Sequence, residues 1–183
     1  SKTGPEGTIT YTYDTKIHGK GMLSTTTLTP VIGNPISCDY EYDEQSRMKE
    51  KTEAGIEQNA PYTFSYLYDN LNRVTQTTYP GGFITKRNYN NTGYFKNVTD
   101  AGNNLIWECT AMNQRMQVTN ALQGNAGTIS KAYTNLGFLQ NITRTENSIT
   151  AMNWNFGFNN LTGNLDDRRS NLPAANSLVE EFT

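Results

Sequence analysis

The sequence is poor in the residues that cross-link, span membranes or hold metals. Its two cysteines, Cys38 and Cys109, lie far apart and lack metal-type spacing, so neither a disulfide framework nor a zinc site can be read from them. They read as free thiols. No stretch approaches the run of about 18 apolar residues that a membrane span needs. His18 is the sole histidine, which excludes a histidine-based metal site and leaves an ordinary exposed side chain as its reading. With 15 basic residues against 17 acidic ones, the chain has no broad basic field for nucleic acid or an anionic membrane. Ser1 follows no charged-then-apolar leader and the end at "EEFT" carries no punctuation, so the chain reads as an excised piece.

What is present points to strands. At 183 residues the chain is one domain or slightly more, long enough to bury a core. Hydrophobic residues make up only 35%, yet 11 Tyr, 7 Phe and 2 Trp argue against disorder. Thr and Tyr suit pleated, half-buried strands, whereas the abundant Asn and Gly suit tight turns.

The organisation is periodic. An aromatic followed by Asp, Asn or Thr recurs at Tyr13-Asp14, Tyr42-Asp43, Tyr68-Asp69, Tyr89-Asn90, Tyr133-Thr134 and Phe158-Asn159, with a degenerate copy between Trp107 and Met116. The spacing gives about seven repeats across residues 1–183, a single array. After each aromatic comes a turn position held by Ser46, Asn72, Gly93, Gly137 or Gly163, and then an apolar residue: Met48, Val74, Phe95, Leu139 or Leu165. Gly and Asn reach positive φ cheaply, as a hairpin corner requires. A second turn signal lies between successive corners, at Pro80-Gly81-Gly82, Asp100 to Asn104, Gly124 to Gly127 and Glu146 to Ser148. Two turn signals per repeat mean two antiparallel strands per repeat.

Alternation places Cys38, Tyr40 and Tyr42 on one face, and likewise Phe64, Tyr66 and Tyr68, or Trp154, Phe156 and Phe158. Stacked between neighbouring repeats, these rings are expected to form a ladder that serves a thin sheet as its core. Residues 44–58 are the most helix-tolerant stretch, but their place after a corner predicts a strand and a long hairpin tip. The expected fold is all-β: tandem antiparallel hairpins in one continuous, twisted sheet. About fourteen strands exceed what an open sheet holds flat, so the strip is expected to coil.

Several residues invite chemistry. Asp14, Asp43 and Asp69 recur at one turn position, which makes them side-chain turn caps and not an acid-base set. Asp39, Glu41, Asp43 and Glu44 lack the spacing of a calcium loop and read as a solvated strand face. Gly19-Lys20-Gly21 has neither the Lys-Ser/Thr nor the helix that a phosphate loop needs. The glycosylation-type triplets that start at Asn90, Asn97, Asn141 and Asn160 are expected by chance in so Asn- and Thr-rich a chain. No cofactor is implied, and the chain reads as non-enzymatic.

The segments "YEYDEQSRM", "YLYDNLNRV", "YNNTGYF", "YTNLGFL" and "FNNLTGNL" resemble the YD repeat, Tyr-x-Tyr-Asp-x-x-Gly-Arg-Leu, of the bacterial Rhs family and the related toxin-complex and teneurin proteins. The resemblance runs from Ile9 to Asn164, and "EEFT" looks like the start of another unit. It implies hairpins in a long sheet that spirals into a hollow shell around a C-terminal toxin or other cargo. In extracellular adhesion proteins it implies a barrel. Such shells use many more repeats, so this chain would be a strip of wall, secreted or on a bacterial surface, whose partners are the rest of the shell and the enclosed domain. Nothing matches the self-cleaving Asp motif or the Pro-x-Gly-Leu signature of bacterial members, so no catalytic residue is implied. The alternative is a surface module that holds carbohydrate or a partner protein on its aromatic face or hairpin tips. Open sheet edges also predict self-association.

Overall fold

The computed structural model describes residues 1–56, 61–171 and 178–182. Sixteen antiparallel strands follow chain order in one sheet, β1 to β16, each hydrogen-bonded to its sequence neighbours. The chain divides into two compact units, residues 1–86 and 87–183. The first contains β1 (Lys2–Gly4), β2 (Gly7–Tyr13), β3 (Leu23–Pro30), β4 (Ile36–Tyr42), β5 (Met48–Ala54), β6 (Tyr62–Tyr68) and β7 (Val74–Thr78). A 3-10 turn, Pro80–Gly82, leads to β8 (Ile84–Tyr89), within which the boundary falls. The second contains β9 (Phe95–Asp100), β10 (Leu105–Met112), β11 (Val118–Gln123), β12 (Gly127–Tyr133), β13 (Leu139–Glu146), β14 (Ile149–Phe158), β15 (Leu165–Ser170) and β16 (Val179–Glu181).

The predicted all-β meander of hairpins is therefore the fold. The helix-tolerant stretch forms β5 because its strand pairs on both sides, Asp39 with Thr52 and Thr52 with Thr63. Tertiary pairing outweighs a helix propensity worth only tenths of a kcal/mol per residue. Residues 57 and 58 of the expected hairpin tip lie outside the described residues, as does Thr183. Among the described residues no helix is long and apolar enough to cross a membrane.

In the first unit one face is a polar row. Thr25, Asp39, Thr52 and Thr63 stand opposite one another across β3 to β6. The Thr25 hydroxyl donates to Asp39 Oδ1 at 2.8 Å, and the Thr52 and Thr63 hydroxyls share a bond at 3.1 Å. In the second unit the amide of Asn141 donates to Asn153 Oδ1 and Asn155 Oδ1 at 3.0 and 2.6 Å. One face of each strip is thus bonded side chain to side chain, which suits a surface that no second layer covers.

Burial follows from that single layer. Among the described residues the buried hydrophobic core is Ala121 alone, at 3% exposure, while Ser24, Thr77, Thr99 and Ser170 are buried polar residues. Most ring-bearing strand residues are half-buried. The expected ladder of repeat tyrosines takes a different form. Tyr42 and Tyr68 end β4 and β6, with β5 between them, so about 9.5 Å of sheet separates their strands and the rings cannot stack. Ring pairs form instead between nearer residues: Phe64 with Tyr79 at 6.0 Å, Tyr89 with Phe95 at 6.0 Å, Phe95 with Trp107 at 5.6 Å, and Phe138 with Phe158 at 4.9 Å.

Candidate functional site: the repeated corner

The corner is built by one acceptor side chain and one left-handed residue. In the second repeat, Asp43 N–H donates to Arg47 O at 2.9 Å and Ser46 N–H donates to Asp43 O at 2.9 Å. This is a hairpin loop made of a type I turn followed by a left-handed residue. Asp43 Oδ1 accepts from the backbone N–H of Gln45 and Arg47 at 3.0 and 2.9 Å, and Oδ2 accepts from Arg47 Nε at 2.7 Å. Asp69 repeats the arrangement with Leu71 and Arg73 at 2.9, 3.0 and 2.7 Å. One carboxylate thus caps the turn amides and holds the guanidinium that closes the loop.

Neutral residues run the same geometry without the ion pair. Asn90 Oδ1 accepts from Thr92 N–H and Tyr94 N–H at 3.1 and 2.9 Å. Asn159 Oδ1 accepts from Leu161 and Thr162 at 2.9 and 3.0 Å, in a loop longer by one residue. Thr134 caps Phe138 N–H with its hydroxyl at 3.1 Å. Asp14 closes a much longer loop, accepting from Gly21 N–H. Each acidic corner residue stays within its own corner, and among the described residues no group of His, Cys, Asp and Glu could hold a metal. Cys38 and Cys109 are free.

Ser46, Asn72, Gly93, Gly137 and Gly163 have φ of 59°, 63°, 88°, 92° and 75°. The degenerate copy contributes a corner that pattern alone missed. Asn113 Oδ1 caps Arg115 N–H and Gln117 N–H at 2.9 and 3.1 Å, and Met116 holds the left-handed position at φ 62°. The available signal was Asn113 itself, four residues before Gln117, with methionine in the place of the usual aromatic. A half-exposed methionine in that conformation costs about 1–2 kcal/mol relative to glycine. Met116→Gly is therefore expected to stabilise the chain by about 1 kcal/mol, less what glycine adds to unfolded-state entropy. Chemical denaturation checks this, and a lowered midpoint would count against the geometry. Ser46→Gly gains less, because the Ser46 hydroxyl donates to His18 O at 2.8 Å.

At three corners the aromatic ties one repeat to the one before. Tyr42 Oη donates to Leu23 O at 2.6 Å, Tyr68 Oη to Met48 O at 2.7 Å, and Tyr133 Oη to Val118 O at 3.0 Å. Each acceptor is the first residue of a strand that follows the previous corner, β3, β5 and β11 respectively. Tyr42, Tyr68 and Tyr133 each pair across their own hairpin with Met48, Val74 and Leu139, always next to a register shift. Phe158 faces Leu165 in the same way but has no hydroxyl. Tyr13 faces Leu23 and stands 53% exposed.

Polar side chains link the corners directly. The Arg47 guanidinium donates to Asp69 O and Asn72 Oδ1 of the next corner at 3.2 and 2.9 Å, and lies 4.5 Å from the centre of the Tyr68 ring. Arg115 donates to Asn135 O at 2.5 Å and Gln117 to Gly137 O at 2.8 Å. Sequence reasoning did not single out Arg47 and Arg73, although both stand four residues after the corner Asp.

Titration follows from these contacts. The N–H and guanidinium of Arg73 hold Asp69 below its ordinary value of 3.8. Burial pushes Asp43 up, but the N–H and guanidinium of Arg47 and the N–H of Gln45 outweigh it, and it too is lowered. A lowered carboxylate contributes fully above its unfolded value, and the contribution is lost as pH falls through the folded one. Burial raises Tyr42, Tyr68 and Tyr133 above 10.0. Their contribution is complete below the unfolded value and is lost as pH rises through the folded one. Urea unfolding is expected to be flat between about pH 5 and 9 and to weaken below about pH 4 and above about pH 10. A steady slope through the neutral range would contradict the corner geometry.

The sequence matches no protein-family model and no curated protein. The fold has solved likenesses. A component of the Photorhabdus luminescens Tc holotoxin pore aligns with 91% of this chain at a TM-score of 0.60 and 12% identity. The TcdB2-TccC3 complex aligns with 91% at 0.60 and 13%, and the TcdB2-TccC3-Cdc42 complex with 88% at 0.58 and 13%. This chain spans 10–11% of those chains, and the likeness is one of fold: an ordered strip of hairpins similar to a small part of each.

Proposed function

We propose that the chain is a wall segment of a YD-repeat shell, a non-enzymatic strip in a secreted or surface-exposed bacterial protein that encloses a C-terminal toxin or other cargo. The observation that carries this reading is where the corner side chains go. Tyr42, Tyr68 and Tyr133 bond backwards to the preceding repeat, and Arg47, Arg115 and Gln117 bond forwards to the next. These groups join hairpin to hairpin, as a wall requires. The repeat pattern in the sequence and the fold likeness to toxin-complex components support the same reading independently.

In this reading residues 1–183 form a single array, and β1 and β16 continue into further strands of the shell. The alternative, a surface module that grips carbohydrate or a protein, draws less support. The stacked pairs Phe95–Trp107 and Phe138–Phe158 belong to strands and their immediate ends, while Tyr13, Phe83 and Tyr94 are exposed rings near separate turns, at 53%, 56% and 55%.

The test is protease protection of the intact parent polypeptide. The segment C-terminal to the repeats is expected to survive a protease that digests it quickly when it is expressed alone. Equal digestion in both settings would overturn the shell reading, and retention of the parent on a glycan array would favour the surface module.

A further inference from the structure

Alternate connections of the sheet fall at opposite ends of its strands, because the strands are antiparallel and follow chain order. The corners follow β2, β4, β6 and the later even strands, and the second turns follow the odd ones. Both ends carry aliphatic side chains that stand exposed.

At the corner end, the residue two places after the cap is Leu71, Leu136 or Leu161, exposed to 68%, 57% and 97%. The loop does not call for leucine. Gln45, Thr92 and Arg115 hold the same place at other corners, and their N–H groups donate to the cap at 3.0, 3.1 and 2.9 Å, as those of Leu71 and Leu161 do at 2.9 Å. Turns favour Gly, Pro, Asn, Asp and Ser for conformational reasons that leucine does not share. One exposed leucine is ordinary on a protein surface, but the same loop position filled this way at three corners marks a surface that is covered in use.

The opposite end is aliphatic too. Gly21 to Cys38 contains no charged residue, and the loop within it that joins β3 to β4 exposes Val31 to 72% and Ile32 to 90%. This loop is firmly held. Val31 N–H donates to Glu6 O at 3.2 Å, and Gly55 lies so close to Pro35 O that a Cβ there would come within 2.1 Å, which sets Ile56, 51% exposed, next to the loop. In the second unit Ile149, after the β13–β14 turn, stands 70% exposed at the corresponding end of its strands.

Aliphatic groups at both ends narrow the choice of partner. A lipid surface meets only one end of a strip. A second strip meets both: the corner end of one seats on the tip end of the other, and a contact of this head-to-tail kind repeats without closing. We propose that the leucine corners and the Val31, Ile32 and Ile56 tip are the two halves of one docking surface, and that the partner is a second copy of this strip. The contact rests on the wall reading and names what seals one turn of a coiling wall to the next. It is separate from pairing at β1 and β16, which uses backbone groups along the edges of the sheet.

The test is sedimentation equilibrium of the chain, of a corner variant (Leu71→Asn, Leu136→Asn, Leu161→Asn) and of a tip variant (Val31→Ser, Ile32→Ser). All five side chains are exposed, so both variants are expected to keep the unfolding midpoint of the parent chain. Contacts made by loop ends alone are smaller than the roughly 800 Å² per partner of a stable complex, so the chain is expected to associate with a dissociation constant of about 0.1–1 mM. Either variant is expected to associate at least about 10-fold more weakly. An equimolar mixture of the two is expected to recover association as hetero-pairs, since each supplies the end that the other lacks. A chain that stays monomeric at about 2 mM, association unchanged in either variant, or no recovery on mixing would overturn the proposal. Binding to phosphatidylcholine vesicles that the tip variant loses, without self-association, would assign the tip to lipid and overturn it as well. Chains that stay apart while the parent polypeptide still protects its C-terminal segment from protease would leave the wall reading standing without this seal.

Discussion

Replacing Gly55 with alanine is expected to unpair the hairpin of β4 and β5, costing about 3 kcal/mol. Gly55 follows the end of β5 at φ 85°, and a Cβ there would overlap the carbonyl oxygen of Pro35 and come within 3.1 Å of Ile36 Cα. Both obstacles are backbone, so neither can move aside as a side-chain tip could. The left-handed conformation adds about 1–2 kcal/mol for any residue with a Cβ. Gly81 separates the two effects. It has nearly the same φ, 84°, yet nothing lies within 4 Å of its Cβ position. Gly81→Ala is therefore expected to cost only the conformational part, about 1 kcal/mol. Hydrogen exchange should show protection lost first at Ser37 to Asp39 and Thr52 to Ala54, because a single-layer array loses stability locally before it does so globally. Equal midpoints for the two variants would mean that Pro35 does not approach Gly55 as described.

The second large effect is expected at Tyr68. Its hydroxyl donates to Met48 O at 2.7 Å, its ring carries the Arg47 guanidinium, and Val74 faces it across the hairpin. Tyr68→Phe removes the hydroxyl alone and leaves a half-buried carbonyl without that donor, a loss of about 1 kcal/mol. Tyr68→Ala also removes the ring, so the expected loss rises to about 3 kcal/mol. The signature is its distribution. Because the tyrosine joins the repeat of Asp69 to that of Asp43, amides of β5 and β6 should exchange faster together while those of β13 and β14 stay unchanged. A uniform loss of protection along the chain would mean that the coupling is global and that the hydroxyl link is not what joins these repeats.

The corner geometry was legible because it is local. Asp43, Gln45, Ser46 and Arg47 lie within one loop, so an acceptor side chain, a residue able to take positive φ and a closing strand declare themselves in adjacent letters. The second turn signals read equally well: the 3-10 turn at Pro80–Gly82, the β9–β10 loop after Asp100, and the β13–β14 turn at Asn147 and Ser148. Asn113 was obscured because methionine stands where an aromatic was sought and at the left-handed position too.

Local chemistry alone specifies a chain of hairpins with a turn at each Asp, Asn or Thr corner. Which atoms join one hairpin to the next is set by the folded sheet. Tyr68 meets Met48 O, 20 residues away, and Arg47 meets Asn72, 25 residues away. Those meetings depend on strand register, and on the shift between Leu67 and Tyr68 that sets the tyrosine opposite Val74. A register change of one residue reverses the face of every side chain after it. The same spacing rule put β5 between Tyr42 and Tyr68, so the bond between their repeats became a hydroxyl on a carbonyl and a guanidinium on a ring, where a stack of rings had been expected. Composition and periodicity report which residues favour turns and strands, but the partner of a side chain is set by distances across a sheet, which no local pattern encodes.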